Sequence, residues 1–297
     1  MNNPIRDLLI KGQAAQDAAK KVEDEAKVGV LRGGTAGCVT SDGKILGNCH
    51  RVALARLIGI DKTVDFERNI MFDAGNASED SWAAKLLAAG AVIRRESEIP
   101  VTVDMDGRLI TGRPDIVVGE MKGEEFVPTC GIELKGVFSA STAVKVLLEE
   151  TPDVKHLVQA AFYSMSLNIP YWLCYTNPST IDTPYWAIKK MGAPKKIQPF
   201  YKMFELRWFG DTLAYRDENQ YEFVETVITK QGIMDYYKLI DELAKTESLG
   251  PRFEGGTSTG GKASYNPCDY CDFSEACDKQ TNFAEWKEYL NEHSKET

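Results

Sequence analysis

The residues best suited to chemistry are acids and a lysine on neighbouring strands. Gly112-Arg113-Pro114-Asp115 precedes Gly131-Ile132-Glu133-Leu134-Lys135. Residues two apart in a strand share a face, so Glu133 and Lys135 point one way while Ile132 and Leu134 point into the core. Asp115 falls on the adjacent strand, where antiparallel pairing can set it beside Glu133. Two like charges about 4 Å apart repel by roughly 4 kcal/mol at an effective dielectric of 20. A hard divalent cation removes that penalty, and oxygen ligands of this kind suit Mg²⁺ or Mn²⁺. Glu133 and Lys135 alone would pass for a surface pair on an edge strand, but a third carboxylate argues otherwise. Phe72, Gly75, Glu79, Trp82 and Leu86 recur at the spacing of one helix face. Glu79 therefore stands on the apolar stripe, where it needs a metal or a salt-bridge partner such as Arg56. In the helical stretch HLVQAAFYSMS, Gln159 and Tyr163 are four apart and lie one above the other. His156 and Lys155 flank that polar stripe, and Val154, Val158, Ala161 and Met165 form the apolar one.

Cysteines make a second constellation. Seven are present, an odd number, and no signal-peptide stretch precedes them, so metal ligation is expected before disulfides. Cys268, Cys271 and Cys277 form a C-x2-C-x5-C pattern supplying three thiolates. A four-ligand site needs one more, for which Cys49 is the best candidate and Cys38 a weaker rival. In a zinc site His50 could take the place of Cys49. Cys130 and Cys174 lie in strand-like runs and are expected to be small core residues.

The series G-x3-E ending at Glu79, G-x-P-D ending at Asp115, E-L-K over Glu133 to Lys135, and Q-x3-Y over Gln159 to Tyr163 resembles the PD-(D/E)xK nuclease superfamily. Its Q-x3-Y motif resembles the RecB-like branch. Many RecB-like members carry His at the first motif, where this chain has Glu79. With a Cys ahead of the core and C-x2-C-x5-C behind it, the chain resembles the AddB nuclease domain and the CRISPR-associated RecB-like exonucleases, over roughly residues 45–280. The resemblance implies a restriction-endonuclease-like α/β core, a mixed β-sheet flanked by helices, with a metal-cluster clasp joining the N- and C-terminal regions. It implies Mg²⁺ or Mn²⁺ held by Asp115, Glu133, the Leu134 carbonyl and Glu79, and a [4Fe–4S] cluster on Cys49, Cys268, Cys271 and Cys277, with zinc the alternative. Lys135 would orient or help deprotonate the attacking water, and Gln159 and Tyr163 would position Lys135 and the DNA backbone. The expected activity is a DNA exonuclease acting on ends or single strands in recombination, repair, phage DNA processing or CRISPR adaptation, with a protein partner from one of those processes. A non-catalytic DNA- or partner-binding module is the alternative, against which the intact carboxylate set argues.

The elements that must position these residues follow from the pattern. Residues 3–27 suggest an amphipathic helix, and 28–297 are expected to form one domain that includes the cysteine cluster. Residues 50–58 and 68–89 have helical spacing and end at Gly59 and Gly90. VIRRESEIPVTV, RLITGRPDIVV and FVPTCGIELKGV suggest three consecutive strands, with an Asp106-Gly107 hairpin between the first two and the loop GEMKGEE between the others. A helix is expected to begin near Thr151-Pro152. YWLCYT, WAIKK and YKMFELRWF suggest further strands, 221–247 a long helix, and FAEWKEYLNEH a final one. KKMGAPKK suggests a basic hairpin tip, and Ser139 to Lys145 could hold phosphates.

Composition excludes several classes. With 297 residues, 43% hydrophobic and 27% charged, the chain is globular in type. No apolar run reaches the about eighteen residues that span a bilayer, so a soluble cytoplasmic protein with no membrane partner is expected. A net charge of −9 argues against coating nucleic acid through bulk charge. It leaves room for a local basic groove, because screening limits exposed charges to about 8 Å. No G-x4-G-K-[ST] motif appears, so no fused helicase motor is expected.

Overall fold

The computed structural model describes residues 28–60, 66–95, 98–251, 253, 271, 273–280 and 282–293. The proposed N-terminal helix, Cys268 and the Gly/Ser/Thr-rich stretch before it lie outside these residues. In chain order, β1 (Leu31–Arg32) leads through a 3-10 turn to β2 (Gly37–Val39), which pairs antiparallel with β3 (Ile45–Gly47). Helix α1 (His50–Leu57) and helix α2 (Phe66–Ala88) stop just before Gly59 and Gly90. Both glycines have left-handed backbones, with φ of 85° and 82°, which closes each helix as the sequence implies.

The strand-rich middle is divided more finely than the sequence suggests. The three expected strands are five: β4 (Val92–Arg95), β5 (Val101–Met105), β6 (Arg108–Gly112), β7 (Ile116–Lys122) and β8 (Glu125–Gly136). The Asp106-Gly107 hairpin is present, with φ of 52° and 87° at the two turn residues. It joins β5 to β6, which belong to a small separate sheet closed by parallel pairing of β6 with β1. Pro114 separates β6 from β7, as expected of a residue without an N–H to give a ladder. The expected GEMKGEE loop shrinks to a turn at Gly123-Glu124, because Gly119–Lys122 continue the ladder.

Two helices follow, α3 (Ala140–Leu147) and α4 (Val154–Leu167). The segment read as phosphate-holding is thus a helix capped by Ser139, whose hydroxyl accepts from the Thr142 amide. Helix α4 begins later than expected. Asp153, rather than Thr151, is the cap, its carboxylate accepting from the Lys155 amide, and a charged acceptor suits the positive end of a helix. Then come β9 (Tyr171–Asn177), β10 (Ile181–Asp182), α5 (Tyr185–Met191), β11 (Lys196–Ile197), β12 (Phe200–Phe209), β13 (Thr212–Asp217), β14 (Val224–Thr229), α6 (Lys230–Lys245), α7 (Ser274–Lys279) and α8 (Phe283–His293). WAIKK is helical, and its lysines sit at a helix end and not at a hairpin tip. The expected long helix over 221–247 is a strand followed by a helix. Val224, Thr226, Val227, Ile228 and Thr229 favour extended chain, and Thr226 and Ile228 alternate with exposed neighbours.

The main sheet has seven strands in the order β14-β13-β12-β9-β8-β7-β4. Every neighbouring pair is antiparallel except β8 and β9, which run parallel and are joined through α3 and α4. The molecule is therefore a mixed α/β structure with a large mixed sheet flanked by helices. Helix α2 covers one face, where Ala83, Ile93, Ile116, Ile132, Leu134 and Cys174 are buried together. Helix α4 covers the other, packing with Tyr171, Leu173, Tyr175 and Phe204 in the larger core. No helix among the described residues is long and apolar enough to cross a membrane.

Candidate active site

The acidic notch arises where β7 begins. Its register with β8 pairs Ile116 with Ile132, and one step further sets Asp115 opposite Glu133. There β7 has ended, and the Leu134 amide, which would otherwise bond a strand, donates to Asp115 Oδ2 at 2.7 Å. A strand residue offers its N–H and C=O to the same side, so the Leu134 carbonyl faces the same open lane. Glu133 and Lys135 stand on the α4 face of β8. Glu133 is fully buried, and Lys135 Nζ donates to its Oε1 at 2.7 Å.

Glu79 comes from α2, on its half-buried side together with Trp82 and Leu86, as the stripe implies. The side chain of Phe72, the first residue of that stripe, lies outside the described residues. Among the described residues Glu79 forms a salt bridge with Arg95 at 4.0 Å and not with the expected Arg56. The sequence reasoning missed Arg95. Its strand register, opposite Ile116, places it next to Asp115, and it also holds Asp80 at 2.6 Å. Burial alone would disfavour the Lys135 ammonium. The Glu133, Asp115 and Glu79 carboxylates outweigh that effect and hold Lys135 above its usual range, which brings all four groups within electrostatic reach.

Tyr163 is buried. The Arg113 backbone N–H and the Gln159 side chain both hydrogen-bond its hydroxyl, so α4 holds the turn that carries Asp115. A Cβ on Gly112 would stand 2.5 Å from the Tyr163 ring, so only glycine lets the turn lie this close. Burial, and then Glu133, push the Tyr163 phenol well up, keeping it a neutral donor. Two turns earlier on α4, burial and Lys135 push His156 down to about 3, and its Nδ1 lies 3.2 Å from the Tyr175 hydroxyl.

No three His, Cys, Asp or Glu side chains close into a complete metal-ligand set among the described residues. The donor chemistry at the notch nevertheless suits a hard cation. Mg²⁺ is ordinarily held by one or two carboxylates and completes its octahedron with water, and here Asp115 and a peptide carbonyl face one lane with Glu133 at the register position opposite Asp115.

The cysteines are partly gathered. Cys49 caps α1, and burial pushes its thiol up to about 12, with Cys271 and Cys277 near enough to raise it further. The two ends of the described chain therefore meet at thiols. His50 is committed to the Leu249 carbonyl at 3.2 Å, and Cys38 is buried against Val39, Thr229 and Gly232. Cys174 is a core residue as expected, whereas Cys130 is only half-buried. No family model, curated protein or solved structure matches the chain.

Proposed function

We propose that the chain is a metal-dependent DNA nuclease on a restriction-endonuclease-like core of the RecB type, with a cysteine-ligated cluster as a clasp. One observation carries the reading: Lys135 bonds Glu133 at 2.7 Å and lies within electrostatic reach of Asp115 and Glu79, acids drawn from an adjacent strand and a helix. Acids gathered about a buried amine are useful where a cation and a phosphate must meet. The order helix α2, antiparallel main-sheet strands β4, β7 and β8 with the β5–β6 arm inserted between the first two, crossover helices α3 and α4, and parallel strand β9 supports the fold part of the proposal.

In this proposal Asp115, Glu133 and the Leu134 carbonyl would hold Mg²⁺ or Mn²⁺, with Glu79 beside them. Such an ion, when bound, acidifies a coordinated water and neutralises charge on the scissile phosphate. Lys135, fixed over Glu133, would orient the attacking water and stabilise negative charge at the phosphate oxygens. Gln159 fixes Tyr163, and Tyr163 fixes the turn that presents Asp115. Cys49, Cys271 and Cys277, with Cys268, would hold iron–sulfur or zinc. The ligands come from both ends of the chain, so the binding energy becomes folding energy.

The test is digestion of end-labelled single- and double-stranded DNA with Mg²⁺ or Mn²⁺, comparing wild type with Asp115→Ala and Lys135→Ala. Wild type should digest and both variants should not. Equal digestion by all three would refute the site, and binding without any cleavage would refute the enzyme.

A further inference from the structure

We propose that Phe138 and Tyr201 form a bracket in which one unpaired nucleobase stacks, so that single-stranded DNA is engaged at the end of the sheet where β8 leaves the acidic notch, on the face opposite Lys135. Gly136, Thr176 and Tyr201 stand in one row across β8, β9 and β12. Directly opposed residues share a face, and this face is the one that carries Leu134 and Cys174. The Phe138 ring lies over Gly136: a Cβ there would meet Phe138 Cε2 at 2.7 Å. Two aromatic rings therefore rise on either side of Thr176. Strand spacing sets their anchor points, the Gly136 and Tyr201 backbones, about 10 Å apart. A base between two rings needs roughly 7 Å, two contacts of about 3.5 Å, which this span accommodates.

Exposure and charge favour this occupant. Phe138 is 49% and Tyr201 64% exposed, a pair in one row and not scattered singletons. Gly136 follows Lys135 in β8 and so points to the other face, which sets the bracket at the same strand end as the proposed catalytic amine and across the sheet from it. The β9–β12 connection leaves and re-enters the sheet at this same end. It carries Lys189, Lys190, Lys195 and Lys196, all exposed, with Asp182 approaching Lys196 at 4.0 Å. On a chain of net charge −9, four lysines here reverse the local sign. Aromatic faces for bases and cations for phosphates are the combination that binds single strands, whereas a duplex hides its base faces in its own stack.

The identity of the ligand rests on the nuclease reading, but the test does not need cleavage. Fluorescein-labelled oligo(dT) and an abasic oligomer of equal length are titrated with the full chain in EDTA and followed by anisotropy. Oligo(dT) should bind more tightly than the abasic oligomer, and Phe138→Ala and Tyr201→Ala should each weaken it about 5- to 150-fold. Tyr201→Phe should bind as wild type. Tyr201 is at the surface, so its variants fold even if Phe138→Ala does not. Equal binding of the abasic oligomer, wild-type affinity in Tyr201→Ala, or a preference for duplex would overturn the bracket. Loss of oligo(dT) affinity in Tyr201→Ala, in a protein that digests no DNA, would leave the bracket standing and remove the nuclease. Digestion with unaltered affinity in Tyr201→Ala would do the reverse.

Discussion

Replacing Lys135 by Met separates the cost of this site from its chemistry. Met keeps the length of the stem and removes the charge. At 2.7 Å, the Lys135–Glu133 attraction amounts to about 6 kcal/mol at an effective dielectric of 20. Part of that offsets the desolvation of a carboxylate with no exposed surface. Losing one partner of such a pair costs about 3–5 kcal/mol. With a urea slope of about 3 kcal/mol/M, the unfolding midpoint should fall by about 1–1.7 M at pH 8. The loss should depend on pH in a defined direction. Burial without the Lys135 ammonium penalises the charged Glu133 carboxylate, so the variant should be most stable at low pH, where that carboxylate is protonated, and lose stability as pH rises. Lys135→Met should therefore gain stability relative to wild type as pH falls from 8 to 5. Adding Glu133→Gln should restore most of the midpoint at pH 8 while DNA digestion remains absent. Urea unfolding followed by circular dichroism at both pH values measures this. A Lys135→Met midpoint within about 0.3 M of wild type at pH 8, with no pH response, would refute the claim that a buried charge at Glu133 is held by Lys135.

Asp115→Asn should abolish digestion at little cost in stability, since an amide oxygen can still accept the Leu134 N–H. Asp115→Ala should lose a further ~1.5–3 kcal/mol, read from the same unfolding curves. Gly112→Ala drives a methyl into the Tyr163 ring and should cost about 1–3 kcal/mol, with lower activity because the Asp115 turn moves. Because His156 is held neutral by burial, the unfolded chain takes up a proton first as pH drops below about 6.5, and the fold weakens by about 2 kcal/mol on reaching pH 5. Urea midpoints at pH 7 and 5 should show that slope in wild type and a flatter one in His156→Gln. Protein purified without oxygen should be brown with iron bound to its thiolates, and Cys271→Ala should lower the unfolding midpoint more than it alters digestion by the folded fraction. Colourless protein with stoichiometric zinc would refute the iron–sulfur assignment and leave the clasp in place.

The site was more legible than the framework around it. The alternation in Glu133-Leu134-Lys135 and the nearness of Asp115 depend on local period and on one antiparallel register, which the Asp106-Gly107 turn and the apolar runs already constrain. The splitting of Val92–Val103 into strands of two different sheets depends on β1, some seventy residues away, pairing with β6, and no local pattern carries that information. Arg95 as partner of Glu79 was out of reach for the same reason. Other errors had local signals that were available. Pro184 and Gly192 bracket α5 as a start and a stop, and the β-branched residues from Val224 to Thr229 alternate as a strand does. The Gln159–Tyr163 spacing gives a helix face, expected to position Lys135 and the DNA backbone, but not what covers it. In the fold that face meets Gly112, and the Tyr163 hydroxyl meets the Arg113 amide.

The β5–β6 arm is chain inserted between two strands, β4 and β7, that lie side by side in the main sheet. It is gripped from outside itself. β1 runs along β6, and Arg108 reaches both Asp241, at 2.6 Å, and the Gly29 carbonyl, at 3.0 Å. Asp115 stands three residues beyond this arm, on a turn that Tyr163 holds from the other side. Covalent continuity through the exposed Asp106-Gly107 tip therefore contributes little to where Asp115 sits. New chain ends opened at that tip, with the old ones joined, would leave every grip on the acid intact.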